Sequence, residues 1–148
     1  MRNISFSATI EAFRARRKHV TRRGNAKGPT WKNLKPGDHL MACEKCQGLG
    51  KGGKIVRMGE IFTIDSVREP IDDIIRRPVR TLPFSIVVQF PQKYRHWLNP
   101  GWGVAEVVLE GFPELKPVQL VEMFCEMNNC EPDTEITRIL FDYVGRIV

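Results

Sequence analysis

Apolar and polar residues alternate from Lys54 to Val67, and this alternation constrains the fold more than any other feature of the chain. Its apolar positions are Val56, Met58, Phe62 and Ile64. A period of two predicts a strand with one buried face, and Gly59 within it predicts a β-bulge. The stretches "FSIVVQF" and "TEITRILFDY" predict further strands. We therefore expect one sheet that contains residues 54–67 and 135–144.

Helical patterns accompany these strands without regular alternation. Residues 7–18 predict a short helix capped by Ser7, and "PVQLVEMFCEMN" predicts a helix from Pro117 to about Asn128, packed against the sheet. A loop and a short helix are expected in residues 97–115. A type II turn at Pro36–Gly37 is expected to lead into a strand over residues 39–46.

This order of elements predicts an α+β fold, a small barrel-like sheet with flanking helices. The length of 148 residues fits one domain over residues 1–148, with an exposed excursion around residues 76–103. A chain of this size buries enough surface to fold without metal or disulfides. The opening residues contain no apolar leader and no stretch is long enough to cross a bilayer, so the expected location is the cytoplasm, away from membranes.

Positive charge is concentrated at the amino-terminal end. Residues 1–35 contain ten Lys or Arg and one acid, a balance of +9, whereas residues 104–148 contain three bases and nine acids, a balance of −6. Such a cluster is typical of a surface that binds nucleic-acid phosphates, with a simply solvated basic face as the alternative.

The four cysteines supply no complete metal site. Cys43 and Cys46 have the C-x-x-C spacing of half a zinc site, but Cys125 and Cys130 are spaced C-x4-C, and the three histidines form no paired ligand spacing. Cys125 lies on the apolar stripe of the helix predicted from Pro117. We interpret all four as reduced thiols and predict neither a metal nor another cofactor.

One short motif brings polar chemistry together. In "RRKHVTRR", residues 16–23, Lys18, Thr21 and Arg23 have the spacing K-x-x-T-x-R. In an extended segment Thr21 and Arg23 point to the same side, and Lys18 at a helix end can reach over it. An ammonium, a hydroxyl and a guanidinium then converge on one spot, which suits a phosphate or a polarised carbonyl.

This motif belongs to a longer pattern. With "WKNLKPGDHLMACEKCQGLGKGGKI", "VREP" and "EGFPELKPVQLVEMFCEMNNCEPDTEITRILFDY", it resembles the ASCH domain, a relative of the PUA domain, over residues 6–70 and 104–144. The resemblance implies a PUA-like β-barrel with a cleft for RNA or a nucleotide. In this family's G-x-K-x-x-T-x-R motif, Arg16 stands where the family has glycine.

The resemblance leaves two main functions open. The first is a domain that binds RNA, another single-stranded nucleic acid or a nucleotide through a basic cleft, with Arg16, Arg17, Arg22 and Arg23 as contacts and Trp102 stacking on a base. The second follows a branch of small enzymes that remove acyl groups from acetylated cytidine or a related modified nucleoside. It implies a metal-independent amidohydrolase.

Each site residue of that enzyme branch has a counterpart here. The resemblance implies Lys18 as general base, Thr21 as nucleophile and Glu110 as proton donor, with Arg23 orienting the substrate. A ribonuclease is a third, weaker alternative, because an ammonium and a carboxylate also move protons on a ribose hydroxyl.

Overall fold

The computed structural model describes residues 1–25, 31–46, 48–76 and 102–145. Within these ranges one five-stranded sheet has the strand order β1-β3-β4-β5-β2. Strand β1 pairs in parallel with β3, and the other neighbours are antiparallel. The strands are β1 (Arg2–Ser5), β2 (Val20–Gly24), β3 (His39–Cys43), β4 (Arg57–Pro70) and β5 (Glu135–Tyr143).

The two strands expected to form the sheet are confirmed and pair with each other. Strand β4 begins three residues later than expected and continues to Pro70, and β5 runs from Glu135 to Tyr143. Opposite β3 the pairing skips from Gly59 to Arg57, so the bulge expected at Gly59 is present, with Met58 as the extra residue. The segment "FSIVVQF" and the rest of residues 77–101 lie outside the described residues.

The sheet curls into a half-barrel within a single small α+β domain. Strands β1 and β2 form its two edges, and in the described part of the chain they do not pair with each other. A closed barrel therefore stays a prediction. A side chain crosses between the edges, because Arg23 Nη2 on β2 donates a 2.5 Å hydrogen bond to the Ser5 carbonyl on β1.

Helices cover the half-barrel, and no described helix is long and apolar enough to cross a membrane. The last one matches its predicted bounds, and its Leu120 and Val121 pack with Ile136 of β5 as expected. A second core cluster, which includes Ile4, Phe6 and Phe141, lies around β1 and the first helix. The helices are α1 (Ile10–Arg14), α2 (Asp73–Arg76), α3 (Trp102–Glu110) and α4 (Pro117–Asn128).

Helix α1 is shorter than the prediction of residues 7–18, and its amino-terminal cap is Thr9, not Ser7. It stops because Arg16 has a left-handed conformation, with φ of 58°. The Arg16 N–H donates to Phe13 O and the Arg17 N–H to Ala12 O, which is the hydrogen-bond pattern of a Schellman helix end. Residues 17–19 thus leave the helix and lead into β2 instead of continuing α1.

Candidate functional site

A pocket of about 220 Å³ opens between the two edges of the half-barrel and helix α4. Its lining includes all four residues expected to act together, which are Lys18, Thr21, Arg23 and Glu110. Lys18 lies in the short segment that joins α1 to β2, Thr21 and Arg23 lie on β2, and Glu110 lies in the last turn of α3. The motif residues and Glu110, which are far apart in the sequence, therefore lie at one site in the fold.

The end of helix α3 holds this segment in place. The His19 N–H donates to Leu109 O at 2.8 Å, and the Arg22 N–H donates to Glu110 Oε1 at 2.9 Å. The next residue, Gly111, has a φ of 104°, and a β-carbon there would lie 2.8 Å from Thr9 Cγ2. Only glycine fits both the turn and the contact. This turn brings Glu110 against the beginning of β2.

Lys18 is buried, with 2% of its surface exposed. Its Nζ donates to the carbonyl oxygens of Val20, at 2.9 Å, and of Glu110. Burial lowers the lysine pKa to about 7; the charge of Glu110 opposes this shift, and Arg23 and Arg22 add to it. Near neutral pH a large share of Lys18 is therefore the neutral amine, whose two N–H groups match the two carbonyls and whose lone pair is free.

Thr21 and Arg23 lie on the same side of β2, as their spacing predicted. Arg23 Nε donates to Thr21 Oγ1 at 3.2 Å, and the guanidinium lies 5.3 Å from the centre of the Phe6 ring. Burial lowers the pKa of Arg23 to about 10, although Glu110 and Cys46 act in the opposite direction. At neutral pH Arg23 keeps its charge, so it supplies a fixed cation beside the threonine hydroxyl.

Arg22 points away from the pocket's polar centre into a buried ion network. Its Nη1 donates to Glu110 Oε2 at 2.7 Å and its Nη2 to Glu106 Oε1 at 2.8 Å. Arg138 Nε also donates to Glu106 Oε1, and Glu69 lies within 4.0 Å of Arg22. Burial alone would lower the pKa of Arg22, but the carboxylates of Glu106 and Glu110 outweigh it and raise the pKa.

This network changes two expectations. The Arg22 side chain is 1% exposed, so it lies in the interior and not on a basic surface, because three carboxylates neutralise it there. Glu110 lines the pocket as expected, but both of its oxygens already accept hydrogen bonds from Arg22. To donate a proton, Glu110 would have to give up one of these bonds.

Arg16 and Arg17, two other expected contacts with nucleic acid, are not among the described residues that line the pocket. Arg16 donates to Gly145 O and lies 5.3 Å from the centre of the Tyr143 ring. Arg17 forms an exposed ion pair with Glu11 at 3.2 Å. Trp102 begins helix α3, and its side chain lies outside the described residues. The exposed part of the expected basic face thus contains Arg16 and Arg17.

The apolar wall of the pocket was missed in the sequence. Helix α4 contributes Met123, Phe124 and Met127, and Phe6 and Phe112 complete the wall. In the sequence, positions 120, 123, 124 and 127 have the i, i+3, i+4, i+7 spacing of a helix face, which normally indicates core packing. Only the fold shows that this face ends at an opening of the sheet.

The cysteines form two adjacent pairs of free thiols. Burial and, to a lesser extent, a hydrogen bond with Cys46 raise the pKa of Cys43 to about 11. Burial and, to a lesser extent, a hydrogen bond with Cys130 raise the pKa of Cys125 to about 11. Cys125 packs beside the core cluster of α4, as its position on the apolar stripe predicted. The described residues contain no group of three or more His, Cys, Asp or Glu side chains placed to hold a metal.

Comparisons with known proteins add little to this geometry. No family model and no curated protein matches the sequence. The chain is similar to a solved structure, protein EF3133 from Enterococcus faecalis V583, family-model DUF984, with 13% sequence identity and a TM-score of 0.42. The match covers 88% of this chain and 63% of that chain. The functional argument therefore depends on the pocket itself.

Proposed function

We propose that this protein is an ASCH-like domain of the PUA type that binds one nucleotide unit in the pocket, either free or at an unpaired position of an RNA strand. The observation that carries this proposal is the convergence of Lys18, Thr21 and Arg23 on one pocket with an aromatic and apolar wall. The sequence resemblance to the ASCH domain supports the same class of ligand.

The size and chemistry of the pocket favour a single base. Its volume of about 220 Å³ lies below the roughly 300–1,000 Å³ of pockets for drug-sized ligands, so it has room for one ring system. Phe112 and Phe124 line it, and flat rings pack well against a base. Arg23 can donate to a carbonyl or phosphate oxygen of the ligand. Arg16 and Arg17 would exchange their exposed contacts with Gly145 O and Glu11 for the phosphates of a longer strand.

Binding of nucleoside monophosphates and of a short single-stranded RNA, measured by calorimetry, tests this function. Removing the Lys18 and Thr21 polar groups in Lys18→Met and Thr21→Val should each weaken binding by about tenfold, the effect of one or two lost hydrogen bonds. Lys35→Met, at an exposed turn, is the matched control and should bind like the wild type. Unchanged binding in the Lys18→Met, Thr21→Val double variant would remove the proposal.

Hydrolysis of an acylated base is a second candidate, favoured by the buried Lys18 amine with a pKa of about 7. In this mechanism Lys18 accepts the hydroxyl proton of Thr21, and the Thr21 oxygen attacks the acyl carbon of an acylated cytidine. The Lys18 ammonium then returns the proton to the departing amine, and water hydrolyses the acyl-threonine ester. This route uses Glu110 to position β2, which fits its two bonds to Arg22.

Release of acetate from N4-acetylcytidine separates the two candidates. If the protein is an enzyme, the rate of acetate release should rise with pH, with an inflection near pH 7 as Lys18 loses its proton, and should reach a plateau at higher pH. Lys18→Met should abolish turnover, whereas Lys35→Met should retain it. If no acetate appears at any pH while cytidine still binds, the protein is a binding domain.

A further inference from the structure

A second compartment adjoins the pocket at the carboxyl-terminal end of helix α4. It measures about 150 Å³ and shares Gly24, Phe124, Met127 and Asn128 with the first. Beyond these shared residues its lining comes from Asn25 at the end of β2 and from Asn129, Cys130, Thr134 and Ile136. The two spaces are therefore neighbouring parts of one cleft.

The two compartments differ in charge. The first contains Lys18, Arg22, Arg23 and Glu110, whereas the described residues that line the second are all uncharged. The polar groups of the second are amides and a hydroxyl, and Phe124, Met127 and Ile136 give it an apolar side. A phosphate or carboxylate placed there would find no cation in this lining, so the second compartment suits a neutral polar group.

Asn25 lines this compartment and has one amide group without a hydrogen-bond partner in the described part of the chain. One end of its amide is fixed, because Thr137 Oγ1 donates to Asn25 Oδ1 at 3.0 Å. The other end, Nδ2, is buried and has no hydrogen-bond partner in the described part of the chain. A buried polar group without a partner is costly, and such groups in native proteins commonly serve a ligand or an ordered water.

Asn128 marks the junction of the two compartments. Its Nδ2 donates to Phe124 O at 2.9 Å, which directs its Oδ1 towards Gly24. A β-carbon at Gly24 would lie 3.3 Å from Oδ1, closer than side chains usually approach. The absence of a side chain at Gly24 thus keeps the junction open, with an acceptor on one side of it.

We propose that the second compartment binds the sugar of a nucleoside whose base occupies the first. This inference depends on the function proposed above. Sugar hydroxyls both donate and accept, which matches the amides of Asn25 and Asn128, and the carbon face of the ring matches the apolar side of the compartment. A phosphate placed there would lack a cation in the described lining.

Pairs of ligands that differ only in the sugar test this assignment. Calorimetric affinities are compared for uracil and uridine, cytosine and cytidine, and adenine and adenosine. For the base that binds, the wild type should prefer the nucleoside by roughly tenfold, since the sugar adds one or two hydrogen bonds. Asn25→Ala should remove most of this preference and leave the affinity for the free base unchanged.

Gly24→Ala is an independent variant, because it narrows the junction without removing a polar group, and its backbone angle does not require glycine. It should weaken binding of the nucleoside several-fold and by a larger factor than binding of the free base, because Gly24 lines both compartments but lies at their junction. Asn3→Ala, on β1 outside both compartments, is the control and should behave like the wild type. A cooperative thermal unfolding transition, measured for each variant, serves as the control that the variant is folded.

The outcomes separate the two proposals. If the wild type binds a free base and its nucleoside equally, or if Asn25→Ala weakens both by the same factor, the sugar does not occupy the second compartment. If no base, nucleoside or nucleoside monophosphate binds to the wild type, the proposed function fails and the sugar site with it. A preference for the nucleoside that is lost in both variants supports the assignment.

Discussion

Two buried cations four residues apart, Lys18 and Arg22, lie in opposite surroundings. Lys18 Nζ meets two backbone carbonyls on the pocket side, whereas Arg22 meets the carboxylates of Glu106 and Glu110 on the other side. Burial disfavours the charge on both residues. At Lys18 this effect of burial dominates and lowers the pKa to about 7, whereas at Arg22 the carboxylates dominate and raise the pKa. The neighbours of a buried cation, more than its depth, decide whether it is reactive or structural.

The largest expected effect comes from removing the structural cation. Arg22→Met leaves Glu106 and Glu110 buried with less compensating charge, and breaking a buried pair in this way typically costs about 3–5 kcal/mol. We expect the free energy of unfolding in urea to fall by that amount. A loss of this size would show that Arg22 acts as a buried structural residue, because exposed ion pairs contribute only about 0–1 kcal/mol to stability.

Arg17→Met provides the matched control. Arg17 also pairs with a glutamate, Glu11, but their side chains are 53% and 91% exposed. The loss of stability in this variant should therefore be small. Equal losses in Arg17→Met and Arg22→Met would show that the ion network around Arg22 does not differ from a surface pair, and the comparison would lose its basis.

The second prediction concerns Lys18 and pH. In the unfolded chain the lysine has a pKa near its ordinary 10.5, and in the folded protein about 7. Between these values the unfolded state binds up to one proton more, so the stability contributed by this group rises with pH, by up to about 1.4 kcal/mol per pH unit. Below pH 7 both states are protonated and the contribution is constant.

Unfolding of the wild type and of Lys18→Met at several pH values isolates this slope. Other groups titrate in both proteins, so the difference between them reports Lys18 alone. We expect the wild type to gain stability relative to Lys18→Met from pH 7 to pH 9. Parallel curves would mean that Lys18 keeps its proton in the folded state, which would also remove its proposed role as a base.

The parts of the fold that follow from local sequence were predictable. Helix α4 repeats its apolar face over three turns, and β5 lies between clear turn residues, so the bounds of both were found. Thr21 and Arg23 share a side of a strand because they are two residues apart. These features depend on neighbours within one element.

The parts that depend on distant contacts were not predictable. Arg22 looks like a member of a basic run, and its partners Glu106 and Glu110 lie 84 and 88 residues away along the chain. Helix α1 ends early because Arg16 adopts a conformation typical of glycine, which a pattern of helix-forming residues does not indicate. The wall of the pocket was missed because the sequence of an apolar helix face looks the same whether that face meets a sheet or a cleft.

A third prediction concerns Arg23, the arginine of the K-x-x-T-x-R motif. It joins the edges of the half-barrel through Ser5 O and orients the Thr21 hydroxyl, and a lysine cannot make both contacts in the same fork geometry. Arg23→Lys should lower the free energy of unfolding by about 1 kcal/mol, the usual value of one such hydrogen bond, and weaken binding of a nucleotide. Arg68→Lys, on an exposed position of β4, should change neither quantity.

The smallest effect is expected at Arg16, where the chain leaves helix α1 and turns towards Lys18 and Arg22. A residue with a β-carbon pays about 1–2 kcal/mol for the left-handed conformation, and glycine avoids this cost but loses about 0.5–1 kcal/mol through the greater freedom of the unfolded chain. Both Arg16→Gly and Arg16→Ala lose the contacts with Gly145 and Tyr143. The difference between these two variants therefore reports the backbone alone.

We expect Arg16→Gly to be more stable than Arg16→Ala by up to about 1 kcal/mol, measured by urea unfolding. Because either variant keeps the turn that delivers Lys18 to the pocket, the pH dependence of stability should match that of the wild type in both. If Arg16→Gly is instead the less stable of the two, residue 16 does not require the left-handed conformation. The path from α1 to Lys18 would then be set by the hydrogen bonds from α3, and those would explain why Lys18 and Arg22 face opposite surroundings.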